Sequence, residues 1–420
     1  MRDPNASIEA VWRIESTRLI ATLARMVRDV GLAEDLAQDA LVAALERWPQ
    51  DGIPRNPGAW LLAVAKHRAI DQFRRYQRLE RKRDDLGRAL NSEAPAPDFA
   101  DLIDGDIGDD VLRLMFITCH PVLPTEGRVA LTLRLLGGLT TDEIARAFLV
   151  PKATVAQRIL RAKKTLAESG ASFEVPSEHE RAQRFASVME VVYLIFNEGY
   201  AATSGGDWVR PALCDDALRL GRIFAALAPQ EPEAAGLIAL MELQASRLRA
   251  RVDPDGTPVL LLDQDRGRWD RLLIRRGLSG LERAQRLRPT MGPYTLQAAI
   301  AACHARAWRP EDTDWERIVA LYDALAQLQP SPVIDLNRAM AVAMAFGPAA
   351  GLSLVDDLAR EPALQQYHLL PSVRGDLLFR LGRYAEAGRE FERAAAMTSN
   401  AVERKLNADR AAAALEKAAS

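Results

Sequence analysis

From Lys152 to Lys164 the chain reads KATVAQRILRAKK, with Lys152, Arg158, Arg161 and Lys164 among its cations and no acidic residue. On a helix, Val155, Ile159, Ala162 and Leu166 recur at spacings of four, three and four, so they share one face that must be buried. The opposite face presents Thr154, Gln157, Arg161 and Lys164, with Lys152 and Arg158 beside it. Gln and Arg side chains match the hydrogen-bonding edges of bases, and Lys neutralises phosphates, so this face suits a DNA major groove. A solvated basic face on a structural hairpin is the plainer alternative. The elements needed to present the face are legible just upstream. Thr140 and Glu143 have the spacing of a capping box, which starts a helix, and Ile144, Ala145 and Phe148 give it an apolar side. Only Leu149 to Pro151 separate it from the basic helix, and Pro151 supplies a pre-set φ near the first turn. The expectation is a helix-turn-helix.

A second cationic stretch lies earlier. From Ala59 to Arg83, Trp60, Phe73 and Tyr76 are interleaved with Lys66, Arg68, Arg74, Arg75, Arg78, Arg81, Lys82 and Arg83, and only Asp71 and Glu80 oppose them. Rings among cations suit single-stranded nucleic acid, because bases stack on the rings while the cations follow the phosphates. A solvated helix with its aromatics in the core would read the same way. Before it, PQDGIPRNPG from Pro49 to Gly58 is a loop of turn residues. Two helices precede the loop, one over Ser7 to Asp29 and one over Ala33 to Trp48. In the second, Leu36, Ala40 and Ala44 form an inner face, while Glu34, Asp35, Gln38 and Asp39 are expected outside. Carboxylates there complement the helix dipole, or they form a docking patch for a partner.

Composition sets the frame for these surfaces. Hydrophobic residues make up 48% of the 420 and charged residues 27%, the balance of a globular protein, and aromatics at 6% favour helices over sheets. A formal charge of −2 excludes a global affinity for polyanions, so local charge must carry any nucleic-acid contact. Cys119, Cys214 and Cys303 cannot all pair, which predicts a reducing compartment. The start MRDPNASIEA lacks a leader pattern, and no apolar stretch approaches the ~18 residues of a membrane span, so a cytoplasmic protein without membrane contact is expected. Cys119-His120 and Cys303-His304 lack zinc-site spacing, and neither a metal nor a cofactor is expected.

Taken together the residues resemble the bacterial RNA polymerase sigma factors of the extracytoplasmic-function type. Asp35-Leu36-Ala37-Gln38-Asp39 is similar to the family's Asp-x-x-Gln-Glu/Asp motif on the helix that binds the polymerase clamp. The run Trp60-Leu61, Ala65-Lys66-His67-Arg68-Ala69-Ile70-Asp71 and Arg74-Arg75 resembles the family helix that handles the melted minus-ten element, with Lys66 and His67 in place of the usual Arg and Asn. The helix-turn-helix, with its trailing Arg161-Ala162-Lys163, resembles region 4. The resemblance implies an all-α fold: region 2 at 1–83, an acidic linker at 84–110, region 4 at 111–168 and a helical extension at 169–420. It implies polymerase binding through Asp35, Leu36, Gln38 and Asp39. Minus-ten contacts would come from Arg55, Asn56, Trp60, Lys66, His67, Arg68, Arg74 and Arg75. Minus-thirty-five contacts would come from Lys152, Thr154, Gln157, Arg158 and Arg161. Core polymerase and promoter DNA are the implied partners, and no residue is catalytic.

The linker assignment also rests on composition. Asp84 to Asp110 is rich in Asp, Pro and Gly with Arg88 as its lone cation, which disfavours a core. In the family the equivalent linker threads the polymerase cleft toward the RNA exit path. In the extension, the apolar pattern around Ile318, Tyr322 and Leu325 is echoed at Ala350 and Leu354 and again at Ala387, Phe391 and Ala394. Gly382-Arg383-Tyr384-x-Glu386-Ala387 completes a tetratricopeptide-like signature, at an offset near that repeat's ~34 residues. Stacked hairpins of this kind present a concave surface, so a regulatory protein at the extension is expected. The layout is similar to a sigma subgroup with a long helical C-terminus, often encoded beside small YCII-related proteins. Two rival readings remain. One is a one-component regulator that binds an operator through the helix-turn-helix and senses through its repeats. The other is an enzyme centred on Glu198, Asp263 and Asp265, for which capping and ion pairing offer the simpler role.

Overall fold

The computed structural model describes residues 4–84, 107–171, 173, 176–254 and 256–419. Among them there is no strand, only the isolated bridges Gly205–Asn400 and Val252–Pro258. The chain divides into two compact units, Met1–Val191 and Val192–Ser420.

The first unit contains α1 (Pro4–Val27), α2 (Val30–Asp51), α3 (Pro57–Asp84), α4 (Ile107–Thr118), α5 (Thr125–Leu135), α6 (Thr141–Phe148), α7 (Lys152–Ser169) and the start of α8 (Glu178–Tyr200). A left-handed residue, Arg28 at φ 53°, closes α1, and the Asp29 carboxylate then accepts from the Gly31 and Leu32 amides at 2.7 and 2.9 Å to start α2. Gly31, in the gap expected between Asp29 and Ala33, therefore sits inside the first turn of a helix. The expected loop from Pro49 is also shorter than its composition suggests. α2 continues through Pro49 to Asp51 because Trp48, 4% exposed, anchors its last turn, and Gly52 at φ 79° ends it. Helix α4 packs on α1. Its first turn includes Asp110, which is buried and ion-paired to Arg25 at 2.8 Å. Two of the acids assigned to the linker, Asp109 and Asp110, are thus an N-terminal helical turn, where carboxylates are favoured by the dipole. The linker between residues 85 and 106 lies outside the described residues.

The second unit takes the end of α8 and then α9 (Pro211–Leu227), α10 (Pro232–Ala245), α11 (Arg271–Leu287), α12 (Pro293–Arg306), α13 (Trp315–Leu328), α14 (Pro332–Phe346), α15 (Pro348–Leu358), α16 (Leu369–Arg380), α17 (Tyr384–Met397) and α18 (Ala401–Ala419). Five of these begin with proline, whose missing amide costs nothing at the first helical position. From α12 onward each helix packs on its chain neighbours. Helices starting at Trp315, Pro348 and Tyr384 are 33 and 36 residues apart, close to the expected period. Among the described residues, one core of the unit gathers around Leu240, Trp269, Leu296 and Ile318 and another around Leu336, Leu352, Leu377 and Phe391. At the α16–α17 contact a side chain on Gly375 would come within 2.7 Å of the Phe391 ring, so only glycine lets the two helices approach. No described helix is long and apolar enough to cross a membrane.

Candidate nucleic-acid interface

The helix-turn-helix is built as its residues predict. Thr140 Oγ1 accepts from the Glu143 amide at 3.2 Å, and Glu143 accepts from the Thr140 amide at 2.7 Å. This reciprocal pair satisfies two donors that the end of α6 would otherwise leave open. Leu149 turns the chain at φ 50°, the left-handed conformation that stops α6, and Pro151 caps α7. Val155, Ile159, Ala162 and Leu166 are the buried residues of α7. On its other side Lys152, Gln157 and Arg161 are exposed and Thr154 and Arg158 are half-buried. Lys152 pairs with Asp142 at 2.8 Å, but both side chains are more than half exposed, so water and salt screen that pair. The face expected to read bases is open.

Helix α3 carries the second cationic surface. Asn56 accepts from the Ala59 amide at 3.1 Å and so caps this helix, which occupies the side chain that the resemblance assigns to DNA. Leu61, Ala65 and Ala69 are its buried stripe. Trp60 lies edge-on to Trp48 of α2, with ring centroids 5.3 Å apart, and is half-buried. Arg55 and His67 are exposed and Arg68 is half-exposed. Burial, with Arg25 adding repulsion, holds the Lys66 ammonium below the usual lysine range. Arg74 and Arg75 lie on the helix, and their side chains fall outside the described residues.

The acidic patch on α2 differs from the expectation in two places. Asp35 and Asp39 are exposed and Gln38 is half-buried, but Leu36 is 1% exposed and belongs to the core. Leu36 stays on the inner stripe with Ala33, Ala37 and Ala40, so its contribution to docking is to hold the helix in place. Glu34, expected outside, is 5% exposed. Its carboxylate contacts Lys163 Nζ of α7 at 2.6 Å and Arg134 Nε of α5 at 2.7 Å, and it accepts from Gln38 Nε2 at 2.9 Å. Burial alone would raise its pKa, yet Lys163 and Arg134 outweigh that effect and hold it below the ordinary carboxylate range. Sequence spacing contained a signal for this burial. Glu34 follows Val30 by four and precedes Ala37 by three, which puts it on the inner stripe. Asp39 pairs with Arg68 of α3 at 3.1 Å, tying the acidic patch to the second cationic helix.

Two of the three remaining candidates, Glu198 and Asp265, have structural duties. Glu198 is ion-paired to Arg210 and accepts from Thr203 Oγ1 at 2.9 Å, and Asp265 caps a 3₁₀ turn through the Gly267 amide at 2.8 Å. Asp263 lines a cleft of about 400 Å³ in the second unit together with His304, Trp315, Tyr322 and Arg410. Cys119 is buried against Thr132 Oγ1 at 3.4 Å, and burial pushes its thiol up to about 11. Among the described residues no three His, Cys, Asp or Glu side chains converge as metal ligands would.

Residues 13–79 match sigma-70 region 2 and residues 113–166 match sigma-70 region 4, so the two cationic surfaces and the acidic patch fall inside those two regions. Residues 184–285 match a family of unknown function (DUF6596). Uncharacterized protein R00370 of Rhizobium meliloti (strain 1021) is 47% identical over 386 residues, 91% of this chain and 90% of that protein. The probable ECF RNA polymerase sigma factor SigI of Mycobacterium tuberculosis (strain ATCC 25618 / H37Rv) is 28% identical over 178 residues, which span 42% of this chain and 60% of SigI. The ECF RNA polymerase sigma factor SigK of Mycobacterium ulcerans (strain Agy99) is 29% identical over 154 residues, 36% of this chain and 78% of SigK. With both DNA-binding regions in order and a helical segment after them, the chain belongs to the extracytoplasmic-function sigma factors of RNA polymerase, the specificity factors of transcription initiation, and carries a C-terminal extension.

Proposed function

We propose that this chain brings core RNA polymerase to a defined set of promoters in the cytoplasm, with α2 as the docking helix, α3 at the minus-ten element and α7 at the minus-thirty-five element. Asp35, Gln38 and Asp39 meet the polymerase, with Leu36 and Asn56 acting as the core residue and the helix cap that fix the two surfaces. Arg55, Trp60, Lys66, His67, Arg68, Arg74 and Arg75 hold the melted strand by stacking and phosphate contact. Lys152, Thr154, Gln157, Arg158 and Arg161 read and grip the upstream duplex. One observation carries this reading: α7 buries its apolar stripe and leaves Lys152, Gln157 and Arg161 open to solvent. The extension, built of consecutive helix pairs, provides a surface for a regulatory protein.

Run-off transcription with purified core polymerase on the region upstream of the chain's own gene tests the proposal. A discrete transcript that requires this chain, and that is lost on substituting Gln157 and Arg161 together, is the expected result. Specific duplex binding without polymerase, and no transcript with it, would instead fit the one-component regulator.

A further inference from the structure

From Ser246 to Arg288 the chain carries eleven arginines, six acids and no lysine, and most of this stretch falls within residues 184–285, the segment similar to a family of unknown function. The fold gathers three of these arginines. Arg249, Arg268 and Arg271 line one open cleft of about 630 Å³ in the second unit, together with Gly267, Trp269 and Asp270. The acid in this lining is already engaged. The Asp270 carboxylate accepts from the Leu272 and Leu273 amides at 2.9 and 3.1 Å and so caps α11. Arg249 and Arg268 are exposed and have no ion pair among the described residues. Guanidinium presents a fixed fork of donors that fits phosphate oxygens, and arginine is the cation preferred where nucleic acid is bound. Further along α11, Arg275 and Arg286 are exposed on the side of Arg271, with Glu282 as the acid between them.

The layer behind the cleft is cationic as well. The Trp269 ring, 2% exposed, has the Arg266 guanidinium at 5.0 Å and that of Arg247 at 5.8 Å. Both arginines are buried, and burial holds both below the usual arginine range. An anion seated in the cleft would offset that cost.

Beside the phosphate-binding groups stands a ring with one side to spare. Arg266 donates to the His304 and Ala307 carbonyls at 2.9 Å and to Thr313 Oγ1 at 3.1 Å, which fixes the loop between α12 and α13 that carries Trp308. Arg271, donating to the Arg266 carbonyl at 3.1 Å, lays its guanidinium over the Trp308 indole at 4.0 Å. Even so, Trp308 is 72% exposed. A smaller cleft of about 220 Å³ includes Trp308, Asp312 and Asp314 in its lining. Asp314 accepts from the Arg317 amide at 3.0 Å. The exposed Asp312 carboxylate accepts no hydrogen bond among the described residues. A carboxylate repels phosphate, but it accepts from the ribose 2′-hydroxyl, which DNA lacks.

We propose that the extension carries a binding site for single-stranded RNA, in which Trp308 stacks a base, Asp312 accepts from the ribose and Arg249, Arg268 and Arg271 hold the phosphates. Aromatic rings next to a cationic groove bind unpaired strands, because every base has a face to stack. In a duplex those faces are already covered. RNA is also the product of the enzyme that this family directs, so the ligand is present where the chain acts. The site lies outside regions 2 and 4 and does not depend on the roles proposed for α2, α3 and α7.

The test irradiates the full chain with a short oligouridylate containing one thiouridine and maps the cross-links by mass spectrometry, which separates a strand on α3 from one on the extension. Cross-links are expected at Trp308 or within Arg268 to Arg271. Cross-link yield against strand concentration gives the affinity of this site. Trp308→Ala should weaken it roughly 5- to 150-fold, and Trp308→Phe should restore most of the loss. Arg249→Gln combined with Arg268→Gln should flatten the slope of log affinity against log salt by ~1.4. The replaced side chains are exposed, so circular dichroism should show all variants still helical. Oligodeoxythymidylate of equal length should compete less well than oligouridylate, and Asp312→Ala should remove that difference. Cross-links confined to α3, or an affinity that Trp308→Ala leaves unchanged, overturn the site. Equal competition by oligodeoxythymidylate, duplex DNA or an oligoglutamate peptide overturns its assignment to RNA, and equal competition by UTP overturns its assignment to a strand.

Discussion

Replacing Arg161 with alanine removes an exposed guanidinium from the open face of α7 without touching the buried stripe of Val155, Ile159, Ala162 and Leu166. If Arg161 grips a guanine by two hydrogen bonds, its loss removes ~1 to 3 kcal/mol of discrimination at one base pair. At ~1.4 kcal/mol per factor of ten, that is roughly 5- to 150-fold. Lys152 provides the contrast. It pairs with the exposed Asp142, a contact that contributes ~0 to 1 kcal/mol, so Lys152 is cheaply redirected to a phosphate. Lys152→Ala should weaken every promoter variant alike and flatten the slope of log affinity against log salt by ~0.9. The assay is holoenzyme binding, followed by fluorescence anisotropy, on single-base variants of the upstream element at several salt concentrations. Arg161→Ala should flatten the preference at one base pair and leave the rest of the profile intact. An equal loss on all variants with a shallower salt slope would make Arg161 a phosphate anchor and refute its assignment as a base reader.

Other consequences are as direct. Thr140→Ala opens the capping box at the start of α6 and should cost ~1 kcal/mol of stability, read by denaturant unfolding; an unchanged midpoint would contradict the cap. Leu36→Ala should lower stability by ~2 to 5 kcal/mol, because the side chain is core; weakened polymerase binding at unchanged stability would return Leu36 to the docking surface. Burial would raise the Glu34 pKa, but Lys163 and Arg134 outweigh it and hold it below the ordinary carboxylate value. Its contribution is therefore complete above its ordinary value of 4.5 and is lost as pH falls through the lower folded value. The stability that Glu34 contributes, read by denaturant unfolding as the difference from Glu34→Gln, should accordingly stay constant between about pH 6 and 8 and shrink only in acid well below that range. A loss on the alkaline side would have the wrong sign.

Local signals made most of the recognition surface legible. Thr140 and Glu143 are three residues apart, and the stripe on α7 repeats within a dozen residues, so each could be read without knowing what it packs against. The second cationic helix was readable for the same reason. The burial of Glu34 depended instead on Arg134 and Lys163, 100 and 129 residues further along the chain, and a carboxylate in the first turns of a helix already has a sufficient explanation in the dipole. Asp110 escaped notice in a similar way. The residues just before it are mostly acids and glycines, while the group that makes its burial tolerable is Arg25 on α1. Asn56 looked like a contact residue, and its carboxamide caps the helix that carries the contacts. For Glu34 and Asp110 composition described the stretch correctly, and a partner distant in sequence decided the outcome; for Asn56 the partner is the Ala59 amide three residues on.

The indole pair at the junction of α2 and α3 also has a practical use. Trp48 is 4% exposed and Trp60, edge-on to it at 5.3 Å, is half-buried on the helix proposed to hold the opened strand. Indole emission responds to what lies against the ring, and a nucleobase stacked there is an efficient quencher. The chain therefore carries an intrinsic optical reporter at the place where strand separation would begin, and stopped-flow emission could time that event without an added dye.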